Sequence, residues 1–350
     1  MTPESALHAF YSDNTASVAP ELLAALAAAN SGQQKAYGDD PWTAQLDAAC
    51  SEFFAADVRA FLVTTGTAAN ALSLATLAPP YGNVYAHAGA HVVEDECGAV
   101  EFFSSGARLT LVPGEHGRMD PRALQAAIES HPASVHTVQP AAVTLTQATE
   151  LGTVYRPEIL AGLCATAHRH GLHVHMDGAR LANAIDFLDC HPADVTWRAG
   201  VDVLSFGATK NGALAAEAVV FFDHSLVRDF ELRRKRAGHL LSKSRYPAAQ
   251  WLTYLRTGLW RTHASRANAL ARRIAAAAGA RLLHPVEANE LFLNLGAAGK
   301  AALRAAGFGF YDWGAASGPE ARFVVSWDQT PQSVEALCRA LASPTAPPGA

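Results

Sequence analysis

The sequence predicts an α/β protein in which a mainly parallel central sheet is flanked by helices and followed by a smaller C-terminal α+β domain. Short apolar runs alternate with alanine-rich stretches through the first two-thirds of the 350 residues, and several runs are continuous, as in strands covered on both faces. After about Leu240 a long helical stretch over residues 247–278 replaces this alternation. We therefore expect an N-terminal arm and large domain over residues 1–245, a small domain over residues 246–341 and a disordered tail over residues 342–350.

The candidate strands are short apolar runs that end at turn or helix signals. Asp120 and Pro121 form a helix start, and Pro157 opens another helix that ends at Gly171. Two strands, Leu291–Leu295 and Arg322–Trp327, are predicted for the small domain. The strands predicted for the large domain are Arg59–Thr65, Asn83–Ala86, Arg108–Val112, Ser134–Val138, Ala142–Thr146, Leu172–Met176, Val201–Phe206 and Ala218–Phe222.

The composition excludes several classes of protein. Half of the residues are hydrophobic and the net charge is −5, so neither disorder nor binding to nucleic acid is indicated. Five scattered cysteines without a CxxC pair are typical of a reducing compartment. The N-terminus lacks the pattern of a secretory signal, and prolines interrupt the uncharged run from Ala60 to Val93, so no membrane span is expected. We expect a cytoplasmic protein.

A carboxylate follows the strand Leu172–Met176. His173, His175 and Asp177 alternate with apolar residues and share one side of this strand. Asp177 then stands at the carboxyl end, where open α/β sheets bind ligands, although it could equally cap the helix that starts near Arg180. The HxH pair has no third ligand at a suitable spacing, so we expect no metal.

A lysine follows another buried strand. The run from Val201 to Phe206 leads into a turn of small residues with Lys210 at its tip. A lysine that is removed from water there can serve as an amine nucleophile, whereas a surface lysine would be ordinary. Ser205 and Thr209 beside it offer hydroxyl donors for a phosphate.

The third element is a glycine–threonine turn at the start of a helix. The strand that ends at Thr65 runs into Gly66 and Thr67, which open an alanine-rich helix. The free N–H groups of a helix start can bind phosphate, but this turn is neither a GxGxxG motif nor a P-loop.

The order of these elements, phosphate cradle, aspartate and lysine, resembles the PLP-dependent transferase fold, fold type I, whose cofactor is pyridoxal 5′-phosphate (PLP). The segments YSDN (11–14), YGDDP (37–41), TQATELGT (146–153) and HMDGAR (175–180), with His91-x4-Glu96, are similar to low-specificity L-threonine aldolases of the β-eliminating lyase and threonine aldolase group. They are spread over most of the first 215 residues, and the last third resembles this group more loosely.

The resemblance implies roles for five cofactor-binding residues. Gly66 and Thr67 would hold the phosphate, and His91 would stack on the pyridine ring. Asp177 would pair with the ring nitrogen, and Lys210 would carry PLP covalently as a Schiff base.

The resemblance also implies a binding site for the substrate. Arg180, which belongs to the cofactor site as well, and Arg322 would bind the α-carboxylate, a task that suits a planar guanidinium. Arg322 could instead form a structural salt bridge. Ser12 would add a hydroxyl group, and Tyr37 would approach the site from a neighbouring subunit.

The implied reaction is retro-aldol cleavage of an L-β-hydroxy-α-amino acid, such as L-threonine or L-allo-threonine, to glycine and an aldehyde. The proton acceptor for the β-hydroxyl group could be His91, His136 or an ordered water, and His136 could equally be a core histidine.

Several alternatives stay open at this point. An aldolase that prefers aryl substrates such as phenylserine, and a PLP lyase that catalyses β-elimination, would use the same scaffold. A non-enzymatic module that only binds a phosphate or nucleotide would lack a covalent cofactor, and D-specific cleavage fits the strand–helix order poorly. The resemblance implies a homodimer or homotetramer whose sites are shared between subunits.

Overall fold

The computed structural model describes residues 8–315 and 318–342. The strands are β1 (His8–Ala9), β2 (Arg59–Val63), β3 (Gly82–His87), β4 (Arg108–Val112), β5 (Gln139–Thr146), β6 (His173–Gly178), β7 (Val203–Gly207), β8 (Glu217–Phe221), β9 (Glu290–Asn294), β10 (Phe308–Gly309), β11 (Tyr311–Asp312) and β12 (Glu320–Val324). The helices are α1 (Pro20–Ala29), α2 (Leu46–Phe54), α3 (Gly66–Leu77), α4 (His91–Glu94), α5 (Ala99–Ser104), α6 (Pro121–Glu129), α7 (Pro157–Arg169), α8 (Leu181–Leu188), α9 (Val227–Arg236), α10 (Arg245–Arg256), α11 (Leu259–Ala278), α12 (Gly296–Ala305) and α13 (Pro331–Ala342).

A seven-stranded sheet forms the centre of the molecule, with the order β2-β8-β7-β6-β5-β3-β4. The strands from β7 to β4 pair in parallel, whereas β8 runs antiparallel to both of its neighbours. The predicted α/β class with a mainly parallel sheet is therefore confirmed.

Helices cover both faces of this sheet, which explains why its strands are continuously apolar. On one face, α1, α2, α7 and α10 contribute to a large buried cluster that includes Leu22, Phe54, Leu163 and Trp251. On the other face, α3 and α9 pack against the sheet with residues such as Leu72 and Phe230.

A second, smaller sheet follows in the chain. Strands β11, β12 and β9 pair antiparallel in that order, and α11 and α13 share a separate cluster with them that includes Ile274, Phe323 and Leu337. Helix α10 packs into the large-sheet cluster through Trp251, so the division at residues 245 and 246 stays a prediction. The predicted tail, residues 342–350, lies outside the described residues except for Ala342, which ends α13.

One predicted strand, Ser134–Val138, is wrong. This segment is a turn in which the Ser134 carbonyl accepts a hydrogen bond from the Thr137 amide, and Val135 is 96% exposed. Local hydrogen bonds of serine and threonine compete with strand pairing, and β5 begins only at Gln139. The other predicted strands are confirmed, with ends that shift by a few residues.

The parallel arrangement positions the functional residues. Strands β5, β6 and β7 end at the same edge of the sheet, with Thr146 beside Asp177 and Asp177 beside Ser205. Ligands of open α/β sheets bind at this edge. Among the described residues, no helix combines the length and the apolar character needed to cross a membrane.

The glycine that follows Asp177 permits close packing at this edge. A Cβ on Gly178 would lie 2.8 Å from the Ser205 carbonyl oxygen and 2.7 Å from Leu204 Cδ1. Because backbone cannot move away as a flexible side chain can, we expect Gly178→Ala to lower the free energy of unfolding by about 1–3 kcal/mol. Urea unfolding followed by circular dichroism measures this change.

The matched control is Gly162→Ala in α7, where an added Cβ meets no atom within 4 Å. This substitution should raise the free energy of unfolding by about 0.5–1 kcal/mol, since alanine favours a helix interior. Equal effects of the two substitutions would contradict the packing argument.

Candidate active site

A cavity of about 330 Å³ opens at the carboxyl ends of β5, β6 and β7. Its size lies within the range that binds small molecules. Seventeen residues from widely separated parts of the chain line it, namely Asn14, Thr64, Thr65, Gly66, Thr67, Asn70, His91, Thr146, Ala148, Glu150, Asp177, Ala179, Arg180, Thr209, Lys210, Ala215 and Glu217.

The start of α3 forms one end of the cavity. Thr65 caps this helix by accepting a hydrogen bond from the Ala68 amide at 3.1 Å, which leaves the N–H groups of Gly66 and Thr67 without an acceptor inside the helix. These groups fit the predicted phosphate cradle. Thr209 also lines the cavity, whereas Ser205 does not, and the hydroxyl group of Ser205 is hydrogen-bonded to His175 at 2.9 Å.

Asp177 is held by a chain of buried hydrogen bonds. Asn70 Nδ2 donates to Asp177 Oδ2 at 2.7 Å and to Glu96 Oε1 at 2.8 Å, and the same Glu96 oxygen lies 2.8 Å from His91 Nδ1. The hydrogen bond with Glu96 raises the pKa of His91, against an opposing effect of burial. These hydrogen bonds thus link Asp177 to His91, and both side chains line the same cavity.

The same three side chains could also meet a cation. Ligand atoms of His91, Glu96 and Asp177 lie within 4.8 Å of one another, but these groups already make hydrogen bonds with each other or with Asn70. The HxH pair does not add to them. His175 is buried between Thr144 and Ser205, and His173 lies 3.8 Å from Asp202.

Lys210 projects from a short turn, Thr209–Asn211, that is firmly anchored. Asn211 Nδ2 donates to Tyr254 Oη at 2.7 Å and to the Trp260 carbonyl at 2.9 Å. Gly212 closes the turn with φ of +108°, a conformation that favours glycine. The backbone that carries Lys210 is therefore held in place at the wall of the cavity.

Two buried glutamates line the cavity with raised pKa values. Burial, together with the nearby charge of Asp177, raises the pKa of Glu150 to about 7. Glu150 Oε1 accepts hydrogen bonds from the His91 amide at 2.7 Å and from the Thr146 hydroxyl at 3.0 Å. Burial likewise raises the pKa of Glu217 to about 7, against the charge of Lys210.

Arg180 is clamped in the cavity wall by acidic groups. Its Nε and Nη2 donate to the two oxygens of Asp13 at 2.7 and 2.9 Å, and its Nη1 lies 3.1 Å from Glu290 Oε2. Although burial alone would raise the pKa of Asp13, the charges of Arg180 and Lys210 and the hydrogen bonds from Arg180 and Asn289 lower it to about 2. Glu290 also binds Arg322 Nη2 at 2.6 Å.

Not every predicted site residue lines the cavity. Within this chain His136 lies in an exposed turn, so its position does not support a role as proton acceptor here. Tyr37 is 53% exposed, and its ring lies 4.7 Å from Lys235 Nζ. Ser12 caps the turn that carries Asp13, and Arg322 contacts the site through Glu290.

Several lining or supporting residues were not predicted. Asp13 and Glu150 lie inside segments that resemble L-threonine aldolases, and Asn70 lies in α3, but spacing alone assigned them no role. Glu217 and Glu290 each begin an apolar strand, and an acidic residue in such a place is the signal that could have identified them.

The cavity meets the requirements of PLP. A helix start offers N–H groups for a phosphate, Asp177 offers a carboxylate for a pyridine nitrogen, and Lys210 offers an amine. All three groups converge on one cavity, as the cofactor needs.

Known proteins resemble this chain over nearly its full length. Residues 9–298 match the family described as beta-eliminating lyase. The low specificity L-threonine aldolase of Pseudomonas aeruginosa is 46% identical over 94% of this chain and 96% of that protein, and the one from a Pseudomonas strain is 44% identical over 94% and 95%.

Solved structures agree with this result. A threonine aldolase from Leishmania major superposes with a TM-score of 0.88 at 26% identity, covering 96% of this chain and 100% of that one. A serine palmitoyltransferase from Sphingomonas wittichii shares the fold, with a TM-score of 0.71 at 16% identity over 95% and 86% of the chains.

The raised pKa of Glu217 predicts a pH-dependent effect on stability. The unfolded chain loses this proton near the usual pKa of 4.5, whereas the folded protein keeps it up to about 7. Stability contributed by Glu217 is thus full below pH 4.5 and is lost as the pH rises through about 7. In cofactor-free protein, the effect of Glu217→Gln on the free energy of unfolding, measured against the unsubstituted protein, should therefore depend on pH. This effect should be more stabilising at about pH 8 than at about pH 4.5, by on the order of 1–3 kcal/mol.

Urea unfolding of both proteins across this pH range measures the difference. Glu52→Gln, at an exposed position of α2, is the control and should change stability equally at each pH. A Glu217→Gln effect that does not vary with pH would contradict the prediction.

Proposed function

This chain belongs to the beta-eliminating lyase family and, within it, to the low specificity L-threonine aldolases, and we propose that it cleaves L-threonine and related L-β-hydroxy-α-amino acids to glycine and an aldehyde. It is a PLP-dependent lyase of fold type I. The observation that carries the proposal is the convergence of Lys210, Asp177 and Arg180 with the start of α3 on one cavity.

We propose that Lys210 Nζ is the covalent attachment point of the cofactor. Gly66 and Thr67 bind the phosphate through N–H groups, and Asp177 keeps the ring nitrogen protonated. When bound, PLP supplies an electron-accepting ring that takes up the electron pair of the breaking Cα–Cβ bond. Asn70 supports this arrangement because its Nδ2 holds Asp177 Oδ2 at 2.7 Å.

Arg180 is the group of the cavity wall that suits an α-carboxylate. Asp13 and Glu290 contact all three of its nitrogens, but the hydrogen bonds among the described residues, both to Asp13, use only two of its five N–H groups, so the Nη atoms retain N–H groups for a substrate. A carboxylate bound there fixes the orientation of the substrate, and with it the bond that is cleaved. We propose that Arg322 contributes to the same binding site and that Ser12 supports it.

His91 is the best-placed proton acceptor among the candidates. Glu96 binds Nδ1 at 2.8 Å, and Nε2 on the other side of the ring has no hydrogen-bond partner among the described residues. We propose that Nε2 accepts the proton of the β-hydroxyl group and that His91 also stacks on the cofactor. Glu150 holds the backbone of His91 in place at 2.7 Å.

The similar proteins support threonine cleavage over the aryl-preferring and β-eliminating alternatives. We further propose a homodimer or homotetramer in the cytoplasm. The exposed position of Tyr37 supports the shared site, because about half of this side chain remains open to contact with a neighbouring subunit.

The substrate assay tests the proposal directly. L-Threonine, L-allo-threonine and L-threo-phenylserine are each incubated with the PLP-loaded enzyme, with the D-isomers as controls, and aldehyde and glycine are measured. We expect both products together and only from the L-isomers. Ammonia in place of glycine would show a β-eliminating lyase instead.

Lys210→Ala tests the attachment point. We expect the variant to fold, to lose the absorbance of the covalently bound cofactor and to lose at least about 1,000-fold in kcat, because no other amine of this chain lines the cavity described here. The control is Lys300→Arg, at a buried lysine paired with Asp312 outside the cavity, which should retain absorbance and activity. Full activity of Lys210→Ala would overturn the assignment.

A further inference from the structure

Glu290 has no role in the reaction as derived so far, yet it connects two substrate-binding arginines. Its side chain is fully buried at the start of β9. Oε1 lies 2.6 Å from Arg322 Nη2, and Oε2 lies 3.1 Å from Arg180 Nη1. One carboxylate thus bridges the wall of the cavity and the small sheet.

The two arginines differ in how firmly they are held. Arg180 keeps its position through the bidentate contact with Asp13 as well. Arg322, on β12, has Glu290 as its acidic partner, and its Nε is buried without a hydrogen-bond partner among the described residues. A buried N–H group without an acceptor costs about 1–3 kcal/mol, so an acceptor that reached Arg322 would be bound favourably.

Electrostatics explains why the bridge is needed. Two guanidinium groups held close together repel each other, and a carboxylate that contacts both offsets this repulsion. The side chains of Glu290 and Arg322 share a face of the small sheet, since Glu290 pairs with Val324 and Arg322 pairs with Phe292. The carboxylate therefore sets both the distance between the guanidinium groups and the direction of the free N–H groups of Arg322.

We propose that Glu290 is a positioning residue that holds Arg180 and Arg322 in the arrangement that binds the α-carboxylate of the substrate. This inference rests on the proposed function, because it takes the two arginines as the carboxylate site. It implies that Glu290 sets the preference of the enzyme for α-amino acids over amines that lack a carboxylate.

The test is Glu290→Gln in the PLP-loaded enzyme. A glutamine oxygen can accept from one arginine, but its amide NH₂ then faces the other, so the bridge is broken while the side-chain volume is kept. We expect the Kd of glycine, measured from the absorbance of the bound cofactor, and the KM of L-threonine to rise about tenfold. The kcat should stay within about twofold.

An amine without a carboxylate separates positioning from a general structural effect. The affinity for L-threoninol, in which an alcohol replaces the carboxylate, should not change in Glu290→Gln. Glu287→Gln is the matched control, because Glu287 also lies between two arginines, Arg118 at 3.4 Å and Arg156 at 3.6 Å, but outside the cavity. It should leave the glycine affinity and the KM unchanged.

Two outcomes would overturn the inference. One is an unchanged or tighter glycine affinity in Glu290→Gln, and the other is an equal loss for glycine and L-threoninol. If the glutamine variant does not fold, Glu290→Asp replaces it, since a shorter carboxylate cannot reach both arginines and the same weakening is expected. The two proposals can also be told apart. If the protein does not cleave L-threonine but Glu290→Gln still weakens glycine binding as expected, the proposed function is wrong and this inference is supported.

Discussion

The buried ion pair between Asp13 and Arg180 is the interaction on which the rest of the site depends. Both side chains are almost fully removed from water, and 167 residues of chain separate them. A buried charge is tolerated only when partners satisfy it closely, and here the bidentate contact is extended by Asn289 and Glu290. Breaking this contact would leave a poorly compensated charge beside the cavity.

On the side of the cavity formed by Asp177 and His91, the buried polar groups are likewise held by neighbouring side chains. Asp177 is held by Asn70, which also contacts Glu96, and Glu96 in turn holds His91. Each group therefore meets a ligand with its orientation already fixed, which is how a protein prepares an electrostatic environment before the reaction begins. The raised pKa of Glu150 shows the limit of this compensation, because burial and the charge of Asp177 keep that carboxyl protonated up to about 7.

Local sequence predicted the fold well because strands covered by helices on both faces appear in the sequence as short continuous apolar runs. Asp177 and Lys210 could be predicted because each stands at the carboxyl end of a predicted strand, Asp177 immediately and Lys210 after a short turn of small residues. Ser134–Val138 failed because local serine and threonine hydrogen bonds outweighed its β-rich composition. The bridging role of Glu290 could not be predicted at all, because its partners Arg180 and Arg322 are brought to it only by the folded chain.

The N-terminal arm has a consequence for how the protein matures on the ribosome. Strand β1 pairs with β10, the Phe10 carbonyl accepts a hydrogen bond from the Val324 amide, and Asp13 is held by Asn289. The first described residues thus pair with partners that are synthesised much later, although the central sheet can form earlier. The entropic cost of closing a loop grows only slowly with its length, so this long-range pairing is not prevented by the length of the chain between the partners. The wall around Arg180 is therefore complete only once Asn289 and Glu290 have been synthesised and have folded against it.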